Sequence, residues 1–328
     1  MSETYLLKKE KYMRNIIDIN SDWIVSTENK GKQQFVHKRI LPLNKEEEYC
    51  YYLEFISAAP SVEIFFNQEK IGTHSGTFTL FRIDITDYVV NGDNELDIAC
   101  EKDFPCQYAS LIIVGKEHFA LDHCGDFGLT VTPLEITPSL ARIRICASAA
   151  NLPENAMISY TVLTTTGTML TNKNIAASSP EYICQLTNPC LWNGKTSPKL
   201  YIAVAGLIID GVTVDQVVLP FGLRNVSMQS DKNIMVNGMC VPSNNLLTTL
   251  EADPFVYDDM DEAGAYVCVD FTELCTASKD ETDCKKQLTE YIYQNYFHPS
   301  ILCWKLPEEY AEFSELIRSL DFTRPVLF

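Results

Sequence analysis

The chain has 328 residues, 46% of them hydrophobic and 21% charged, and 44 acidic against 26 basic residues leave a net charge of −18. That length points to two or three domains. The acidic balance argues against a nucleic-acid partner and against docking on an anionic membrane, both of which want a basic face. No run of 18 or more apolar residues is present to span a bilayer, and the opening MSETYLLKKEKYMRN lacks the apolar centre of a secretory signal. The expectation is a cytoplasmic protein that needs no metal or cofactor. Its 12 cysteines include no C-x-x-C pair, and only His123-Cys124 sets a His beside a Cys. They read as small buried hydrophobes kept reduced, with a zinc site or disulfides as the alternatives.

The first part alternates. YYLEFIS, SVEIFFN, FTLFRIDIT and NELDIACE are short period-2 runs separated by turn residues, the spacing of a β-sandwich or jelly roll. The stretch NGDN, Asn91 to Asn94, reads as a hairpin turn because Asn-Gly accepts positive φ angles. A second β-rich block follows in ARIRICASA, AMISYTVLTT, KLYIAVAGLII and TVDQVVLPFG. It suggests an immunoglobulin-like sandwich, although the Cys-Trp-Cys core of antibody domains is not apparent.

After Arg224 the pattern changes. Val256, Met260 and Ala263 fall at helical spacing, with Gly264 placed as a C-cap. AYVCVDF is a continuous apolar strand suited to a sheet covered on both faces. Cys284, Leu288, Tyr291 and Ile292 share one side of a helix. ILCW is the next strand, PEEYAEFSELIRSL another helix with Pro307 near its first turn, and RPVLF a final strand. NNLLTTL is a possible fourth. Strand-helix alternation of this kind predicts a parallel α/β unit. The predicted architecture is therefore mainly β with a C-terminal α/β part: residues 1–137 and 138–226 as sandwiches and 227–328 as α/β. The last is too short for a complete eight-stranded barrel, which needs about 200 residues or more.

Several ordered motifs resemble glycoside hydrolase family 2, the family of bacterial β-galactosidases, β-glucuronidases and β-mannosidases. Asn67, Gly72, His74, Gly76, Phe81, Asp84 to Thr86, Gly92 and Asn94 are similar to its N-terminal sugar-binding jelly roll. NPCLWNGKTSPKLY, with Pro189, Leu191, Trp192, Pro198, Leu200 and Tyr201, resembles its immunoglobulin-like domain. PFGLRNV and Asn237-Gly238 resemble the segment leading into its barrel. PFVYDDMDEAGAYVCVDF resembles the helix and third strand of that barrel, and HPSILCWKLPEE the segment that usually reads His-Pro-Ser-x-x-x-Trp-Ser-x-Gly-Asn-Glu. The resemblance implies a jelly roll, an immunoglobulin-like sandwich and a partial (β/α) barrel remnant.

It also implies roles, and it removes what those roles need. Glu309 falls where the family has its general acid/base, Glu308 where an Asn binds the sugar, and Trp304 where a Trp lies at the active-site floor. Pro307 stands for Gly, Lys305 for a small residue, and Phe271 for the Glu after Asp270. The segment of the second strand, with its Arg-x-Ser-His-Tyr-Pro motif, is expected to be missing, and the nucleophile has no counterpart before Phe328. Retaining hydrolysis needs two opposed carboxyl groups, whereas Glu308 and Glu309 are neighbours whose side chains diverge. The expectation is a vestigial acid/base, with Trp304 and both glutamates reading otherwise as core and helix-terminal charges.

Other candidates read as structural. His298-Pro299 is a turn before a strand, His74 a loop residue and Trp192 sandwich core. Asp258, Asp259, Asp261 and Glu262 form a solvated acidic face, since they lack the ligand spacing of an EF-hand. The function expected is a carbohydrate-binding or assembly module without hydrolysis of its own. The alternative is a β-glycosidase that works only when another chain completes the barrel. Expected partners are a β-linked carbohydrate and a second copy or partner chain over the open barrel edge.

Overall fold

The computed structural model describes residues 14–29, 33–101, 106–121, 128–150, 152–229, 233–253 and 255–328. The N-terminal residues 1–13 and the His123-Cys124 pair fall outside that set. Among the described residues no helix is long and apolar enough to cross a membrane, and the cysteines are all free thiols.

The first unit is a sandwich of two antiparallel sheets. One orders Asn15–Asp18, Cys106–Gly115, Tyr49–Ala58 and Leu80–Asp84. The other orders Ile24–Asn29, Gln33–Leu43, Gly92–Cys100, Ser61–Phe66 and Glu69–Ser75. Alternation drives the packing: Val62, Ile64 and Phe66 turn inward from one strand and meet Leu53, Phe55 and Leu111 from the other sheet. The expected hairpin at Asn91 to Asn94 does not form. Leu80–Asp84 and Gly92–Cys100 belong to different sheets, so this turn crosses the sandwich. Gly92 takes φ +99° there, and the Asn94 side chain bonds both Val90 and Gly92 backbone atoms.

The second unit packs three strands, Leu129–Ile136, Leu140–Ala147 and Glu181–Thr187, on four, Met169–Ala176, Met157–Thr164, Leu200–Ile209 and Val212–Gly222. Ala141, Ile143, Ile145, Val162, Ala203, Ala205 and Leu219 form its centre.

The third unit is a four-stranded parallel sheet in the order Leu246–Thr249, Tyr266–Asp270, Ile301–Lys305, Val326–Leu327. Helices Phe255–Ala263, Thr272–Ala277, Glu281–Asn295 and Ser314–Leu320 connect the strands, and no closed barrel forms. The first strand lies beside Tyr266–Asp270 and ahead of helix Phe255–Ala263. The NNLLTTL segment thus supplies the fourth strand of the sequence reading, without the Arg-x-Ser-His-Tyr-Pro motif. PEEYAEFSELIRSL is also not one helix. A 3-10 segment, Glu308–Phe313, precedes Ser314–Leu320, and Tyr310 at φ −110° breaks the run.

Both faces of this sheet are covered. Helix residues Leu274, Cys284, Leu288, Tyr291, Ile292 and Ile317 pack one face against Val267, Val269, Ile301 and Trp304. The other face, which a barrel would enclose, holds Cys268, Leu302 and Cys303 against Ile234, Val236, Val241 and Trp192. Trp192 is therefore not sandwich core as expected. It comes from the second unit, is fully buried on the parallel sheet, and donates Nε1–H to the Asp261 carbonyl at 3.0 Å. Gly264 caps its helix at φ +68°, and a Cβ there would lie 2.3 Å from the Gly194 carbonyl carbon. Only glycine permits this approach of two backbones.

Buried and half-buried polar bridges tie the units together. Arg14 pairs with Asp215 at 2.5 Å, both side chains fully buried. Ser75 Oγ donates to Asp283 at 2.6 Å, and Gln294 bonds both backbone groups of Leu80.

Candidate functional site

In parallel α/β folds, ligands bind at the carboxyl ends of the strands. Here those ends carry Asp270 on the second strand and Lys305 on the third, in register across the ladder. Lys305 Nζ donates to Asp270 Oδ2 at 2.8 Å, and Thr272 bonds Oδ1 through its backbone N–H and its hydroxyl. Partial burial would raise the Asp270 carboxyl, but the hydrogen bonds from Lys305 and Thr272 outweigh it and hold the group below the ordinary carboxylate range. The same bond raises Lys305. Two residues earlier on each strand, hence on the same face, stand Cys268 and Cys303. Their hydrogen bond holds the Cys303 thiol up, with burial adding to it, and draws the Cys268 thiol down.

Glu308 and Glu309 begin the 3-10 segment after Pro307, and both are exposed. Three residues per turn set neighbouring side chains about 120° apart, so the two carboxylates do not oppose each other. Desolvation raises Tyr310, and the hydrogen bond to Cys284 raises Cys275, with the Glu309 charge the smallest contribution to each. Cys275 and Tyr310 pack with the helix-covered core, not with the face bearing Asp270 and Lys305. Trp304, the third predicted site residue, is fully buried in that same core. It stacks on Phe271 at 5.6 Å and donates Nε1–H to Asp321 at 2.8 Å. The structure thus buries Trp304 in the helix-covered core and leaves Glu308 and Glu309 exposed.

The opposite end of the sheet is richer than the sequence reading allowed. Asp258 and Asp261 are buried, which corrects the solvated acidic face. Asp261 accepts from the Ser300 backbone N–H at 2.8 Å and pairs with His298 Nδ1 at 2.7 Å. Asp258, Asp261 and His298 bring potential ligand atoms within 4.8 Å of one another, but both Asp261 oxygens are already used in fastening the turn before the third strand. His298-Pro299 is that turn. His74 is likewise not a loop residue: it lies in strand Glu69–Ser75, buried, stacked on Phe81 at 4.0 Å. Asn67 donates to Asn94 at 2.9 Å. These four residues carried part of the family resemblance, and each of them packs or braces the first sandwich.

Sequence reasoning missed the Asp270–Lys305 pair. Opposite charges two residues beyond Cys268 and Cys303, on consecutive apolar strands, were the available signal.

No family model matches the chain. A β-glucuronidase from Bacteroides fragilis is 23% identical over an alignment of 404 residues, covering 98% of this chain and 55% of the relative. That alignment is longer than the chain itself, so the relative carries internal residues that this chain lacks. An FMN-binding β-glucuronidase from Facaelibacterium prausnitzii L2-6 superposes with TM-score 0.84 at 22% identity, over 96% of this chain and 63% of that one. A glycosyl hydrolase family 2 member from Bacteroides cellulosilyticus gives TM-score 0.74 at 17% identity, over 89% and 49%. At such identities the structural likeness speaks to the fold. The chain spans little more than half the length of the curated Bacteroides relative. With the ordered motifs, these matches make it a glycoside hydrolase family 2-like protein. It is a homologue of proteins named β-glucuronidase and β-galactosidase.

Proposed function

We propose that this chain is a non-hydrolysing family 2-like protein of the cytoplasm that serves as a carbohydrate-binding or assembly module. The observation that carries this reading is the Asp270–Lys305 ion pair at the strand ends, with Glu309 exposed beyond Pro307. A general acid needs an enclosing site to tune its proton affinity. Glu309 stands in water, and the strand ends carry a cation bound to its own carboxylate. The relatives' names make a β-linked sugar the ligand class.

The test is turnover of chromogenic β-glucuronide, β-galactoside and β-mannoside by the purified chain, with hydrolysis no faster than in buffer as the expected result. Turnover that disappears in Glu309→Gln overturns the proposal. Calorimetry with the free sugars then separates binding from assembly. The second reading, a hydrolase completed by another chain, draws on one feature. Strand Leu246–Thr249 is bonded along one side only among the described residues, and Leu247 is 47% exposed. Under that reading, oligomeric mass and turnover rise together with concentration.

A further inference from the structure

A cavity of about 260 Å³ lies between the second sandwich and the parallel sheet. Its wall residues Asp321 and Arg324 shortly precede the fourth strand, so it sits at the amino end of the sheet, away from Asp270 and Lys305. Two guanidinium groups line it, Arg224 at 6% exposure and Arg324 at 5%. Arg324 is neutralised by Asp321, Nη1 to Oδ2 at 2.6 Å, and donates to the carbonyls of Ile301 and His298.

Arg224 has no such counter-ion. Its Nε donates to the Pro299 carbonyl and its Nη2 to those of His298 and Ile301. No carboxylate of the described residues lies within ion-pair distance of it. Its Nη1 bonds none of them either, yet is not sealed in protein, and the cavity is its open side. Burial and then the like charge of Arg324 disfavour the charged Arg224, with Asp321 and Asp261 only partly offsetting them. Asp261 is committed to His298 and Ser300.

The Arg224 guanidinium thus meets no carboxylate directly, and it faces a space whose walls include Phe221 and Phe297, with Phe322, 65% exposed, also lining it. Guanidinium pairs well with a planar carboxylate, and the Asp321 carboxylate in the same wall disfavours a dianion such as phosphate. The volume is just under the range typical of drug-sized ligands, so the occupant is smaller. We propose that this cavity binds a small organic carboxylate, with the anion on Arg224 Nη1 and the body against the three phenylalanines. The site is independent of whether the strand ends hydrolyse anything.

Calorimetry on the full chain tests this with D-glucuronate and benzoate against their neutral counterparts, D-glucose and benzyl alcohol. At least one acid should bind saturably, its neutral counterpart at least about tenfold more weakly, since a charge-assisted pair is worth about 1.5–3 kcal/mol. Arg224→Lys should weaken the acid by a similar factor. Phe322→Ala, at an exposed ring where folding is not at stake, should weaken it several-fold. The proposal fails if neither acid binds, if acid and neutral counterpart bind alike, or if Phe322→Ala binds as the wild type does.

Discussion

The two ends of the parallel sheet differ in how their polar groups are held. At the amino end, Arg224, Arg324, Asp261, His298 and Asp321 are all buried, and most of their donors and acceptors meet backbone or side-chain partners. At the carboxyl end, Asp270 and Lys305 share a half-exposed pair, and Glu308 and Glu309 lie in solvent. A buried polar group without partners costs several kcal/mol, whereas an exposed one costs almost nothing. The amino end is therefore fixed by folding itself, because those groups orient the turns that start the strands. The carboxyl end is held more weakly, by the Asp270–Lys305 pair and the bonds from Thr272.

Asp321→Ala should show the largest effect. It strips the carboxylate from buried Arg324 and from the Trp304 indole N–H together, a loss of about 3–5 kcal/mol for breaking a buried pair from one side, read as a shift in denaturation midpoint. The pH dependence has a definite sign. Pairing with Arg324 outweighs burial and holds the Asp321 carboxyl below its ordinary value. Its stabilisation is complete above the unfolded value of about 3.9 and is lost as pH falls through the lower folded one. Melting of the wild type relative to Asp321→Asn should therefore converge as pH drops from about 5 toward 2. A constant difference across that window would detach Asp321 from the network.

Gly264→Ala should come next. A Cβ would meet the Gly194 backbone at 2.3 Å, in a left-handed conformation, so about 2 kcal/mol or more is expected from overpacking and strain together. A neutral result would mean that the second sandwich does not rest on this helix end. Lys305→Ser should cost at most about 1 kcal/mol, as a half-exposed pair does, and confer no hydrolysis. Activity gained by this one change would make Lys305 the block, and the carboxyl end an intact site.

Much of this contrast could be read in the sequence, and unevenly. Strand alternation, the Gly264 cap and the apolar side of helix Glu281–Asn295 follow from local periodicity, so they were predicted and are present. Long-range partners were not. Trp192 looked like sandwich core because an aromatic's burial is predictable while the element it packs against is not. Asp258 and Asp261 looked solvated because a run of acids usually is. What buries them is a histidine 37 residues downstream from Asp261, a separation no local pattern reports. The Asp270–Lys305 pair needed the strand register. Glu309 was located by family resemblance, and its exposure depends on Pro307 and the 3-10 turn after it, where an uninterrupted helix was expected.

The smallest predicted effect tests the comparison most directly. Glu309→Gln changes one charge on an exposed 3-10 turn, for which substitutions typically stay within about 0.5 kcal/mol. It leaves the size of the side chain unchanged and removes only the capacity to ionise. If the carboxyl end is unused for catalysis, the variant should match the wild type in denaturation midpoint and, with each chromogenic glycoside, in rate. Positioned general acids contribute about 10²–10⁴-fold, so even a weakly active site would register the change against a measurable background. A drop of that size without a stability change would show that Glu309, exposed as it stands, is drawn into an enclosed site when substrate or another chain is bound. The difference between the two ends of the sheet would then belong to the isolated chain rather than to its working state.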